Sequence, residues 1–143
     1  MASVVREKAR AAAVEKRTLQ GLIAYNRPFA GPARYKRLVL SAREGRRIVG
    51  GLVGDCLWNF VYVHLLWVDG AARGKDHGTR LMREAERVAR ERGAALVWLN
   101  TFSFQAPKFY EKLGYRRFAA LKDTPASKTS RFFYVKRLSG ARA

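Results

Sequence analysis

At 143 residues, 48% hydrophobic and 12% aromatic, the chain has the size of one domain with a real core and is too apolar for a disordered tract. A lone cysteine, Cys56, excludes an internal disulfide and argues against a zinc cluster; this fits a reducing compartment, and the cytoplasm is the expected location. The net charge of +18, from 29 Lys and Arg against 11 Asp and Glu, predicts attraction to an anion (nucleic acid, membrane surface or a phosphate-bearing cofactor) and carries no information about fold.

From Val5 to about Asn26, apolar residues including Val5, Ala9, Leu19 and Ile23 recur at roughly helical spacing, and Asn26-Arg27-Pro28 and Gly31-Pro32 are expected to break the helix. Glu7 and Glu15, and the absence of an apolar run, set this segment apart from a targeting peptide. Leu38 to Ala42 and Arg47 to Leu57 read as a hairpin around Glu44-Gly45, with glycines that mark bulges or close packing. Phe60 to Val68 is apolar at nearly every position, so a central strand covered on both faces is expected. Glycines, Asp55, Asn59 and His64 make Ile48 to Val68 a pair of strands rather than a membrane span.

Leu81, Met82, Ala85, Val88 and Ala89 fall on one face of a helix over Thr79 to Glu91, with Gly93 at its stop. Ala95 to Phe102 is a second buried strand, so strand, helix and strand imply a parallel crossover. Pro107 to Leu113 reads as a short helix closed by Gly114, and Tyr115 to Leu121 and Phe132 to Leu138 as closing strands. The expected domain is single over 1–143, with a core over 37–138 and a reduced helical segment over 1–36.

The stretch WVDGAARGKDHGTRLM joins a strand to a helix start, where backbone N–H groups lack helical partners and the helix dipole adds positive charge. Gly74 and Gly78 allow close approach of an anion, and Arg73, Lys75 and Arg80 add full charges, with Arg83 and Lys108 more distant. Asp76 opposes them with a carboxylate, but Asp tolerates left-handed backbone angles, so the loop keeps its shape with the side chain turned to solvent. The loop by itself is equally a plain turn with solvated cations.

A wider constellation goes further. LLWVDGAARGKDHGTRLM resembles the acetyl-CoA-binding motif of the GNAT acetyltransferase superfamily, with Arg73 and Gly78 at its first and last positions and Asp76 where a glycine is usual. LNTFSFQAPKFYEKLGY resembles the second signature of that superfamily at Ala106, Tyr110, Gly114 and Tyr115. The resemblance implies a mixed α/β (α+β) GNAT-like fold: a central mixed, twisted sheet of about six strands with splayed parallel central strands, flanked by helices. It implies acetyl-CoA held between those strands by Leu66, Trp67, Val68, Arg73, Gly74, Lys75, Asp76, His77, Gly78, Thr79, Ser103 and Lys108.

It further implies direct attack of an amine on the thioester, with Tyr110 protonating, or hydrogen-bonding, the departing thiolate. His64 is the candidate base, since imidazole titrates near neutrality. Trp58, Tyr62, Asn100, Phe102 and Phe104 are candidate walls for a small-molecule amine acceptor. Each has a bland alternative: His64 as a packed histidine, Tyr110 as core, His77 as an exposed residue, the aromatics as core, Ser103 as a helix cap. No metal, membrane or nucleic-acid partner is expected, and a homodimer is left open. Two other readings stay open, a GNAT-like protein that binds acyl-CoA without catalysis and a basic nucleic-acid-associated protein.

Overall fold

The computed structural model describes residues 1–138. They fall into two compact units, Met1–Arg34 and a second that begins at Tyr35. The first unit is built around α1 (Ala11–Ala30), which buries none of its residues. The break expected near Asn26 does not occur: α1 runs through Pro28 and stops at Gly31, whose N–H returns to Arg27 O at 2.8 Å. A proline this close to a helix end removes one backbone bond and leaves the turns before it intact, while Gly31, at φ 75°, supplies the stop.

The second unit is one six-stranded mixed sheet in the order β1 (Lys36–Glu44), β2 (Arg47–Leu57), β3 (Phe60–Val68), β4 (Leu96–Phe102), β6 (Ser130–Arg137), β5 (Arg116–Lys122). Only β3 and β4 are parallel, and α2 (His77–Glu91) is the crossover between them. On one face Leu81, Met82, Ala85 and Ala89 of α2 pack with Leu52, Val61, Val63, Val97 and Leu99 of the sheet. The short helix α3 (Pro107–Lys112) adds Tyr110 to this core. On the buried face of α2, the Glu86 carboxylate accepts from Tyr115 Oη at 3.0 Å and Lys136 Nζ at 2.9 Å, so the one fully buried charge among the described residues is paired.

Two irregularities shape the centre of the sheet. The parallel pairs run from Phe60 with Leu96 to Val63 with Leu99 and end there. Beyond that level β3 continues beside β2 as far as Val68 opposite Gly50, and β4 continues beside β6 as far as Phe102 opposite Arg131. The strands therefore part, which is the splay the resemblance implied. At the same level Val63 pairs with Gly54 and Leu65 with Val53, leaving His64 as the extra residue of a β-bulge. The expectation that β3 is covered on both faces fails over this half: His64, Leu65 and Trp67 are exposed, because no neighbouring strand stands beside them on the β4 side.

Candidate active site

Beyond Val63, alternate N–H groups of β3 turn away from β2 and have no strand to meet, and this stretch holds Leu66, Trp67 and Val68. The chain then makes one 3-10 turn (Gly70–Ala72) and a short loop before α2 begins at His77. Its first intrahelical bond runs from Arg80 N to Asp76 O at 3.0 Å, so the N–H groups of His77, Gly78 and Thr79 have no carbonyl one turn back. Asp76 is the N-cap residue in left-handed geometry, φ 63°, with no side-chain capping bond and an exposed side chain, as its tolerance of that region predicts. Gly74 is left-handed too, at φ 82°.

Packing closes this cradle from the side. A Cβ on Gly78 would stand 3.3 Å from Phe109 Cζ and 3.7 Å from Val68 Cγ2, so the start of α2, the end of β3 and α3 meet at one point. The site fits a pyrophosphate with a thioester arm laid into the splay: free N–H groups, a helix N-terminus and a strand gap lie in sequence along one path.

The cations are less free than the sequence implied. Lys75 Nζ lies 3.1 Å from Glu44 Oε2, and His77 Nε2 lies 3.0 Å from the same oxygen. His77 is thereby largely buried, its side chain 11% exposed, so of the two readings offered for it, a contact to the donor or an exposed residue, the exposed one fails. These two partners, His77 first, hold the Glu44 carboxyl below its ordinary value. Arg73 Nε donates to Val68 O at 3.3 Å, tying the loop to the strand end, while Lys108 is exposed on α3.

Tyr110 lies on the α2 and α3 side of the sheet, buried against Phe109, Tyr115 and Tyr134 with centroids 5.1, 6.2 and 6.2 Å away. Desolvation pushes its phenol up to about 12. Its hydroxyl makes no protein hydrogen bond among the described residues, yet it is not a sealed, unsatisfied group.

The other face carries the acceptor candidates. Tyr62 stacks on His64 at 6.0 Å and packs on Trp98 at 4.3 Å. Asn100 Nδ2 donates to Tyr62 Oη at 3.0 Å, and Phe102 stacks on the exposed Phe104 at 5.4 Å. Trp58 is not brought here: it occupies the β2–β3 turn with φ 42°, at the far end of β3 from the splay. Ser103 is not a helix cap: its hydroxyl accepts from Ser130 N at 3.0 Å, and α3 has Ala106 at its N-cap with no side-chain capping bond, while the Gln105 side chain folds back to accept from Phe102 N at 2.7 Å.

Two residues escaped the sequence reading. Glu44 reaches the loop from a strand 31 residues away, and Arg131 donates through Nε to Asn100 Oδ1 at 2.9 Å from a strand treated only as closing. No local pattern marks either one.

Residues 6–115 match the acetyltransferase (GNAT) family. The chain is 46% identical over 88 residues to the blasticidin-S acetyltransferase of Streptomyces morookaense, a stretch that is 61% of this chain and 65% of that protein. It is 32% identical over 111 residues to an acetyltransferase of Agrobacterium fabrum, covering 77% of this chain and 81% of the relative. The crystal structure of an acetyltransferase from Bacillus cereus superposes with a TM-score of 0.80 at 31% identity, over 95% of this chain and 98% of that one. Motif, splay, family match and superposition agree: the chain belongs to the GNAT acetyltransferase family, whose acyl donor is acetyl-CoA.

Proposed function

We propose that the protein acetylates a small amine by direct transfer from acetyl-CoA. The observation that carries this reading is the coincidence of three features: the parting of β3 and β4 after Val63 and Leu99, the bulge that presents His64 at that level, and the anion cradle at the start of α2. Bound acetyl-CoA would supply an acetyl thioester, and attack by the amine exchanges the C–S bond for a C–N bond.

The chain's own residues serve that exchange from both sides of the sheet. The α2 N-terminus, Gly74, Gly78, Thr79 and Arg73 hold the pyrophosphate, and the N–H groups around Leu66 and Trp67 meet the carbonyl oxygen as it gains charge. His64, on the Tyr62 face, takes the proton of the attacking amine directly or through water. Tyr110, on the opposite face, donates a hydrogen bond to the sulfur as it leaves. Tyr62, Asn100, Phe102 and Phe104 shape a compact acceptor site, and the field of +18 disfavours polycations on approach over roughly a Debye length, about 8 Å in physiological salt.

The test is thiol release from acetyl-CoA in the presence of an amine panel that includes blasticidin S, the acceptor in a relative's name, beside aromatic amines and spermidine. Amine-dependent release with a thermal shift by acetyl-CoA is the expected result. A thermal shift without release for any amine means an acyl-CoA-binding protein, and spermidine as best acceptor at low salt defeats the charge argument.

A further inference from the structure

Arg131 sits on β6 opposite Phe102, one strand beyond β4 from the widening gap. Two contacts fix its guanidinium, and a third fixes the side chain that anchors it. Nε donates to Asn100 Oδ1 at 2.9 Å, Asn100 is itself fixed by its bond to Tyr62 Oη at 3.0 Å, and the guanidinium carbon lies 5.1 Å from the Phe102 ring centroid. Arg131 is half-buried, and it makes no ion pair among the described residues. Other arginines of the unit are engaged otherwise: Arg37 with Asp55, Arg83 with Glu86, Arg87 with Glu84 and Glu91, Arg117 with Glu111.

A guanidinium held through Nε keeps both terminal nitrogens for a partner, and two parallel N–H groups match the two oxygens of a carboxylate. A neutral amide as its anchor leaves the positive charge uncompensated, at a place where an aromatic floor lowers the competition from water. Asp55 on β2 stands three strand spacings away, at least about 14 Å, and is taken by Arg37 and Tyr35, while Asp123, just past the end of the adjacent β5, accepts from Lys128 N at 3.1 Å and makes no ion pair with Arg131 among the described residues. The phosphates of the donor belong to the α2 cradle, and the arm that lies in the splay is uncharged. An anion that meets Arg131 is therefore part of the acceptor.

We propose that Arg131, aligned by Asn100 and Tyr62, anchors a carboxylate of the acceptor, so that the substrate class is a small amine bearing a carboxylate and an apolar or aromatic body. This rests on the acetyltransferase reading and narrows it.

The test uses 4-(aminomethyl)benzoate and 4-(aminomethyl)benzamide, whose ring insulates the amine from the change at the far end. Binding of each to the full chain is titrated calorimetrically in the presence of coenzyme A, which turns nothing over. The benzoate is expected to bind at least about tenfold tighter, the scale of a charge-assisted pair. Arg131→Gln should erase that preference and Arg131→Lys retain only part of it, because an ammonium keeps the charge and loses the fork. Arg131→Gln removes one of 29 cations, so a preference owed to the overall field survives it, whereas a local one does not. Equal affinities in the wild type, binding of neither probe, or a preference that persists in a folded Arg131→Gln each overturn the proposal. Thiol release on replacing coenzyme A by acetyl-CoA is read separately: its absence defeats the transferase reading and leaves the binding result standing.

Discussion

Gly54 lies so close to Tyr62 across the β2–β3 ladder that a Cβ added to it would stand 2.7 Å from the Tyr62 carbonyl oxygen. That distance is well inside van der Waals contact, and the atom it meets is backbone, which cannot swing aside. The register shift between Val53 and Gly54 occurs at this point, so the bulge that displays His64 depends on a missing side chain.

Gly54→Ala should therefore lower stability by about 1–3 kcal/mol, the usual range for overpacking, and reduce thiol release with any acceptor. Gly51→Ala is the control, since its Cβ would meet nothing closer than Leu40 O at 3.5 Å. Urea denaturation of both variants decides it; equal midpoints would mean that the bulge accommodates a methyl group.

Asp76 holds φ 63° without a capping hydrogen bond and places a carboxylate on the anion cradle. Glycine adopts that backbone region freely and removes the charge. Asp76→Gly is expected to raise the melting temperature slightly and to tighten acetyl-CoA several-fold, whereas Asp76→Ala relieves the charge but keeps a Cβ in the left-handed region. Weaker binding by Asp76→Gly would assign Asp76 a favourable contact with the donor.

Asp76 also shows what was legible in the sequence. The motif resemblance marks position 76 as one where glycine is usual, and Asp there predicts a left-handed loop because both residues visit that region. The α2 face and the buried alternation of β4 are local, one by a period of 3.6 and the other by a period of 2. The level at which β3 and β4 part is not, because it is set by which neighbour each strand follows. Nor does the sequence mark His64 as a bulge residue: the cause, Gly54, lies on another strand. Glu44 and Arg131 are invisible for the same reason, since their hydrogen-bond partners are 31 or more residues distant.

The capture of Lys75 and His77 by Glu44 predicts a gain when it is broken. Glu44→Gln removes a carboxylate from the edge of the cradle and frees Lys75 toward the donor, so acetyl-CoA should bind more tightly, most visibly at low salt. The same pair predicts a pH effect. The Glu44 carboxyl is depressed in the folded chain, so its contribution to stability is present above the ordinary glutamate range and is lost as pH falls through the depressed value. Glu44→Gln should accordingly flatten the acid side of the stability profile, measured by melting temperature from neutral to acid pH. An unchanged acid limb together with unchanged affinity would show that the Glu44 contacts are too well solvated to matter.

Tyr110 combines burial with an unused hydroxyl, and the magnitude of its shift limits what it can do. A phenol pushed up to about 12 is fully protonated at neutral pH and so can donate. Complete transfer of its proton to a thiolate of ordinary affinity, about 8.5, is uphill by roughly 3.5 units or about 5 kcal/mol. The burial thus favours a hydrogen bond to the departing sulfur over full protonation, with the proton on the thiol coming finally from water. Tyr110→Phe should lower kcat by about 100-fold, the lower end of the range for one donor aimed at developing charge, and leave the Kd for acetyl-CoA within about twofold. The wild-type rate should show no alkaline limb from Tyr110 below about pH 11, because the phenol keeps its proton there. Stability gives a second readout with a definite sign. A raised folded value contributes stability that is complete below the ordinary tyrosine value of 10.0 and is lost as pH rises through about 12. Tyr110→Phe should be less sensitive than the wild type across that window, in a comparison where the buried Tyr115 is common to both proteins. Full turnover by Tyr110→Phe, with the alkaline stability difference still present, would make Tyr110 a core residue with no part in the transfer.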